Sequence, residues 1–320
     1  MRTPTTSPAP ESPASVTAER STKGADRLFA GLSTGAGVTI LLLLAGVAFF
    51  LFQQSLPALS ADPSALAGGA DSLGDFLGPL VFGTVYAAVL ALLLATPLAV
   101  AIALFISHYA PRRLATTLGY ITDILAAVPS VVYGLWGVSV LAPLMVPLMR
   151  GLEERLGVIP LFAGPTLTSG RTLMVAAVVL AVMILPIITA ICREIFLQVP
   201  RLHEEAALAL GATRWELIKM AVLPYARSGI ISGTMLGLGR ALGETMALAI
   251  ILSPARIIDL NIIGAQNPQA IAPNIALRFP ESSGIEVNGL FLTGLVLFAI
   301  TFAVNYGARR ITANAFSGAD

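Results

Sequence analysis

The sequence predicts an all-α integral membrane protein with six transmembrane helices and both termini in the cytoplasm. Three observations carry this reading. The 320 residues are 56% hydrophobic and only 12% charged, with a mean hydropathy of +0.84, whereas a soluble domain is about a quarter charged. Apolar runs long enough to cross the ~30 Å hydrocarbon core recur between short polar segments, without extended strand alternation. With segments assigned alternately to the two sides, thirteen of the Lys and Arg fall on one side. Only five, Arg150, Arg155, Arg171, Arg256 and Arg278, fall on the other. The richer side is cytoplasmic by the positive-inside rule.

Taken in order, residues 1–27 are rich in Pro, Ser, Thr and Ala and read as a disordered cytoplasmic tail. Residues 28–76 hold the first anchor, span 1 at 34–55, and an extracytoplasmic loop carrying Asp62, Asp71 and Asp75. The main transmembrane domain is expected over 77–310, followed by a tail at 311–320. Span 2 covers 79–107 and is long enough to need tilt or a kink at Pro97. Span 3 covers 116–142, with Pro129 and Gly134 predicting an irregular helix that faces the protein interior. A mixed loop at 143–170 and span 4 at 172–191 follow. A polar stretch at 192–227 separates span 4 from span 5 at 228–252. Residues 253–286 form a long Pro-rich loop whose middle, 270–279, is too short to span and reads as re-entrant or interfacial. Span 6 covers 287–307.

Several chemistries are excluded or poorly supported. The net charge of +1 gives no footprint for nucleic acid. A lone Cys192 forbids an intrachain disulfide, and with only His108 and His203 beside it no zinc-ligand set or catalytic cluster can be assembled. Neither Lys23 nor Lys219 follows a Gly, so the phosphate-cradling G-x-x-x-x-G-K-[ST] loop is missing. Any ATP used by this protein must be bound by another chain. Gly31-Leu-Ser-Thr-Gly35 matches G-x-S-x-G but precedes a membrane helix instead of occupying a strand-to-helix turn.

The polar stretch is the informative one. In Glu205-Ala-Ala-Leu-Ala-Leu-Gly211-Ala-Thr-Arg-Trp-Glu-Leu-Ile-Lys-Met-Ala-Val-Leu-Pro224, Pro200 can open a helix and Glu204 and Glu205 suit its first turn. Gly211 suits a left-handed exit, and Thr213 and Glu216 have capping-box spacing for a second helix. Pro224 is expected to limit that second helix. Two short helices held at an angle make either an ordinary amphipathic loop or a knob for a partner's socket.

This stretch resembles the cytoplasmic EAA loop of ABC-importer permeases. Glu205, Ala206, Ala207, Gly211, Leu223 and Pro224 stand at the pattern's spacing, while Ala221 replaces its Ile. The resemblance implies a type I ABC-importer permease fold and a loop that docks in a groove of a separate ATPase subunit.

A second feature lies in span 5. Arg240 and Glu244 are four residues apart, so on one helix they share a face. Charges at that depth are expensive and turn toward a cavity or each other. Gly229, Gly233, Gly237, Ala241 and Thr245 recur every fourth residue and predict close packing, read as a permease–permease seam. Either the charged pair merely neutralises itself and fixes packing, or Arg240 contacts a translocating anion. On the second reading Glu244 orients Arg240 and accepts a hydrogen bond from a protonated oxyanion. That favours phosphate, which keeps a P–OH at neutral pH, over sulfate.

Arg-Ala-Leu-Gly-Glu-Thr-Met-Ala at 240–247, with Ala-Val-Pro-Ser-Val-Val-Tyr-Gly-Leu-Trp-Gly at 127–137, resembles the C-subunit permeases of phosphate-specific importers. The resemblance implies a non-catalytic subunit in the bacterial cytoplasmic membrane. It implies a related permease as heterodimer partner, two copies of an ATPase that bind ATP and Mg, an extracytoplasmic phosphate-binding protein, and membrane lipid. An importer for sulfate, molybdate or phosphonate, and an ATP-independent channel, remain the alternatives.

Overall fold

A computed structural model describes residues 19–66 and 70–316 and is helical almost throughout. By contacts the chain divides into two units, Met1–Phe50 and Leu51–Asp320. The first unit is helical from Glu19, within α1 (Glu19–Ser60). Between Arg27 and Phe50 it carries no charged residue, and Leu41, Leu42 and Leu43 are each at least 65% exposed. An apolar helix left bare in this way is suited to lipid. Residues 1–18 of the expected tail lie outside the described residues, but Glu19–Arg27 are helical, not irregular.

In the second unit, α2 (Leu73–Leu104) starts where Ser72 Oγ accepts the Asp75 N–H. Its Ala87, Ala91, Ala95, Ala99 and Ala103 form a buried ridge at four-residue spacing. Small side chains on such a ridge let helix axes approach closely. The ridge belongs to the same buried core as α6 (Leu173–Leu197), the most enclosed of the long helices. α9 (Leu223–Leu242) packs on another side of α6, with Gly229, Gly233 and Gly237 buried. A Cβ on Gly237 would lie 2.8 Å from Ile188 Cδ1, and one on Gly233 would lie 3.2 Å from Ile191 Cγ2. The glycine ridge is therefore filled by isoleucines of the same chain. This corrects the expected permease–permease seam: a smooth glycine face receives whichever large ridge lies nearest, and here α6 supplies it.

Other boundaries also move. Among the described residues, five helices are long and apolar enough to cross a membrane: Asp26–Ser60, Leu73–Tyr109, Ser130–Leu156, Leu173–Leu197 and Ile285–Arg310. The expected span at 116–142 is broken. α3 (Arg112–Ala126) ends before Pro129, and α4 (Ser130–Trp136) starts after it. Proline disfavours helical backbone at the preceding residue and donates no N–H, so the chain turns there. α4 then passes through a π-helical turn, Gly137–Leu141, into α5 (Ala142–Leu156). Much of the expected 143–170 loop is thus helix. The expected span 5 is interrupted as well: α9 stops at Leu242, and α10 (Met246–Ile251) begins after a three-residue break.

The 253–286 loop is folded against the bundle. Its two short strands, β1 (Pro254–Ala255) and β2 (Asn267–Pro268), pair in parallel. The Ile271 N–H that opens α11 (Ile271–Arg278) donates to Thr84 Oγ1 on α2 at 2.9 Å. A Cβ on Gly83 would meet the Gln269 backbone, so only glycine allows this approach. α12 (Ile285–Phe316) follows.

Candidate functional site

The polar stretch folds as two short helices. α7 (Arg201–Ala209) follows Pro200, and Gly211 turns the chain with φ +84°, a left-handed value that costs any Cβ-bearing residue. Thr213 caps α8 (Arg214–Leu217): its Oγ1 accepts the Glu216 N–H, while Glu216 Oε2 accepts the Thr213 N–H at 2.7 Å. The Thr213 N–H and the Thr213 hydroxyl both donate to Glu216 Oε2 and hold its carboxyl below its ordinary range.

Pro224 does not end this second helix. A π-helical turn, Ile218–Val222, carries α8 directly into α9, with Pro224 in the first turn of α9. The Leu223 N–H reaches back to the Ile218 carbonyl, and the wider turn accommodates a residue with no N–H of its own.

The knob exposes large apolar side chains among its charged ones. Leu210 is 87% exposed, and Leu202, Trp215 and Met220 are also exposed, while Ala207, Leu217 and Ile218 point into the core. Glu205, Ala206 and Gly211 are exposed, Leu223 is half-buried and Pro224 is exposed. Sequence reading missed a tie to the end of α2: Glu204 Oε1 lies 3.5 Å from His108 Nε2, and His108 Nδ1 is 2.7 Å from Ser107 Oγ. No sequence spacing links residues 96 positions apart.

At the break after α9, Arg240 is exposed and Glu244 is 7% exposed. They do not share a helix face, because Gly243 ends α9 between them, and no ion pair within 4.0 Å joins them. Glu244 Oε1 instead accepts the Ala247 N–H at 3.0 Å, capping α10. Its proposed role of orienting Arg240 is not what this geometry displays. The local signal was present in the sequence, since a Gly followed by Glu-Thr is a stop and a start.

The two motifs at 127–137 and 240–247 meet in space. α4 packs on α10, and a Cβ on Gly134 would lie 3.0 Å from Ala247 Cα. Gly137 fits similarly between Val179 and Ile251. Tyr133 donates its hydroxyl to the Leu125 carbonyl at 2.8 Å, bridging the α3–α4 break.

Residues 95–314 match the family model of the binding-protein-dependent transport system inner membrane component. The chain belongs to this family of importer permeases. The permease is 42% identical over 310 residues to the phosphate transport system permease protein PstC 2 of Mycobacterium tuberculosis, covering 93% of this chain and 95% of that one. It is 36% identical over 304 residues to PstC of Mesorhizobium japonicum, covering 89% of each. Its fold is similar to an inward-facing structure of the MetNI methionine ABC transporter. There the TM-score is 0.55 at 16% identity, covering 75% of this chain and 96% of the other. The permease is a multi-pass inner-membrane protein with a type I ABC-importer permease fold. Its family is that of binding-protein-dependent transport systems.

Proposed function

We propose that this chain is the C-subunit-type permease of an ATP-driven phosphate importer, performing no chemistry itself. The observation that carries the reading is the packing of α4 on α10, where Gly134 meets Ala247 beside Arg240 and Glu244. The two segments that resemble phosphate permeases are one physical unit. Around it, the PstC relatives supply the substrate class.

In this reading a loaded phosphate-binding protein delivers its anion to the extracytoplasmic side. Arg240 attracts the anion at the helix break. Glu244, with one oxygen on Ala247 N–H, offers the other to a P–OH. A second, related permease completes the pathway. Two copies of an ATPase bind ATP and Mg, and the knob of α7 and α8 sits in the ATPase through the exposed Glu205, Ala206, Gly211 and Pro224, while the buried Ala207 and half-buried Leu223 hold its shape from inside. The exposed Leu210, Trp215 and Met220 around it are apolar surface suited to burial in such a socket. Both termini and this knob lie in the cytoplasm, and α9 with α10 makes the sixth crossing.

Labelled-phosphate uptake under phosphate limitation tests this, in cells lacking any other phosphate system, with and without the chain and with excess sulfate or molybdate. Uptake that requires the chain and ATP and ignores the competitors is expected. Uptake unchanged by loss of the chain overturns phosphate as substrate and points to another oxyanion.

A further inference from the structure

α10 has only six residues, far too few for a helix to be stable alone. Its last carbonyls are also left without intrahelical partners. Arg171, from the loop before α6, supplies them. Its Nη2 donates to the Ile250 carbonyl at 2.9 Å and the Leu252 carbonyl at 3.4 Å, and its Nε donates to the Ile251 carbonyl at 3.2 Å. The cation stands at the negative end of the helix dipole, and the Glu244 carboxylate stands at the positive end.

The backbone that carries this side chain is itself anchored. The fully buried Asn267 of β2 donates from Nδ2 to the Arg171 carbonyl at 3.0 Å, and its Oδ1 accepts the Leu173 N–H at 2.8 Å. Arg171, the start of α6 and the 253–286 loop are thereby tied to one end of α10.

We propose that Arg171 is a positioning residue for transport: it fixes the C-terminal end of α10 so that Glu244, at the other end, stays aimed at the break beside Arg240. This rests on the reading of Arg240 and Glu244 as the anion pathway. A basic residue on this side of the membrane would otherwise be assigned to docking of the binding protein. Its donors are instead turned inward onto backbone. Only a planar fork reaches three successive carbonyls, so Lys is not equivalent.

The test uses the whole transporter in proteoliposomes: this chain, its paired permease, the ATPase and the binding protein. In a Cys192→Ser background, Met246→Cys at the start of α10 reports that helix through its labelling rate with a membrane-impermeant thiol reagent. Arg171→Gln is expected to raise that rate severalfold and to lower the maximal uptake rate about tenfold with the complex still assembled, as loss of donors to buried carbonyls dictates. Arg171→Lys should fall between parent and Arg171→Gln in both readouts. If Arg171→Gln fails to assemble, Arg171→Lys decides on the same two measurements.

Labelling and uptake both within twofold of parent overturn the proposal, as does faster labelling with uptake unchanged. Arg240→Gln, run in parallel, separates the two readings. If uptake survives it, the pathway reading fails and takes the transport role of Arg171 with it. The labelling rate still reports whether Arg171 clamps α10.

Discussion

Glu244 shows how much a single side chain's role depends on its backbone. As part of one continuous helix it would face Arg240 one turn away. At a helix break it becomes a cap, nearly buried, with one oxygen committed to Ala247 N–H. Glu244→Gln keeps that acceptor, removes the charge and replaces the second acceptor oxygen with an amide donor. The expected outcome is an assembled transporter whose preference for phosphate over sulfate falls by about tenfold, near the lower end for loss of one charged hydrogen bond. Competition uptake measures it, and an unchanged preference sinks the selectivity account. The glycines make a second prediction at this scale. Gly237→Val places methyls on Ile188 and should destabilise the protein by about 1–3 kcal/mol through overpacking. Gly239→Ala, where a Cβ meets open space, should not lower the melting temperature. Thermal unfolding in detergent distinguishes them.

The α7–α8 knob is an element whose shape is set by local chemistry. Gly211 has no neighbour within 4 Å of an added Cβ, so substitution there tests backbone strain alone. Gly211→Ala should cost about 1–2 kcal/mol at φ +84°, whereas Gly211→Asn, which tolerates that region, should cost less. Co-purification of the ATPase with each variant checks whether the knob's angle matters to docking. The capping box gives a pH dependence. Glu216 has a depressed pKa in the folded loop, so its stabilising contribution is complete above the ordinary value of an unfolded glutamate. The contribution is lost as pH falls through the lower folded value. Hydrogen exchange of the Thr213 and Glu216 amides, corrected for intrinsic rate, should therefore show protection at neutral pH that declines only in acid, with Glu216→Ala unprotected throughout.

At the largest scale, the decisive arrangement in the second unit is a bundle centred on α6, with α2 and α9 packed on it and the 143–170 and 253–286 segments knitted back onto it. The Asn261 Nδ2 donates to the Gly164 carbonyl and the Met174 N–H to the Ile262 carbonyl, joining segments about a hundred residues apart. The proposed orientation follows from charge and is directly measurable. In a Cys192→Ser background, Leu210→Cys should react with an impermeant thiol reagent only from the cytoplasmic side. Val158→Cys, at a position 98% exposed, should react only from outside. Reaction of both from one side would refute the topology.

The sequence by itself determined the membrane class, the Gly211 turn, the Thr213–Glu216 cap and the family, because each rests on composition or on contacts within four or five residues. Gly-rich spacing on α9 also announced close packing, but not against what. Pro129 and Gly243-Glu-Thr likewise carried local signals for the two helix breaks, but only the tertiary structure decided that the ridge faces Ile188 and Ile191 and that α4 packs on α10. It alone joined His108 to Glu204 and Arg171 to α10. These outcomes depend on which distant surface fills a groove or satisfies a bare carbonyl, and no local pattern encodes the identity of that partner.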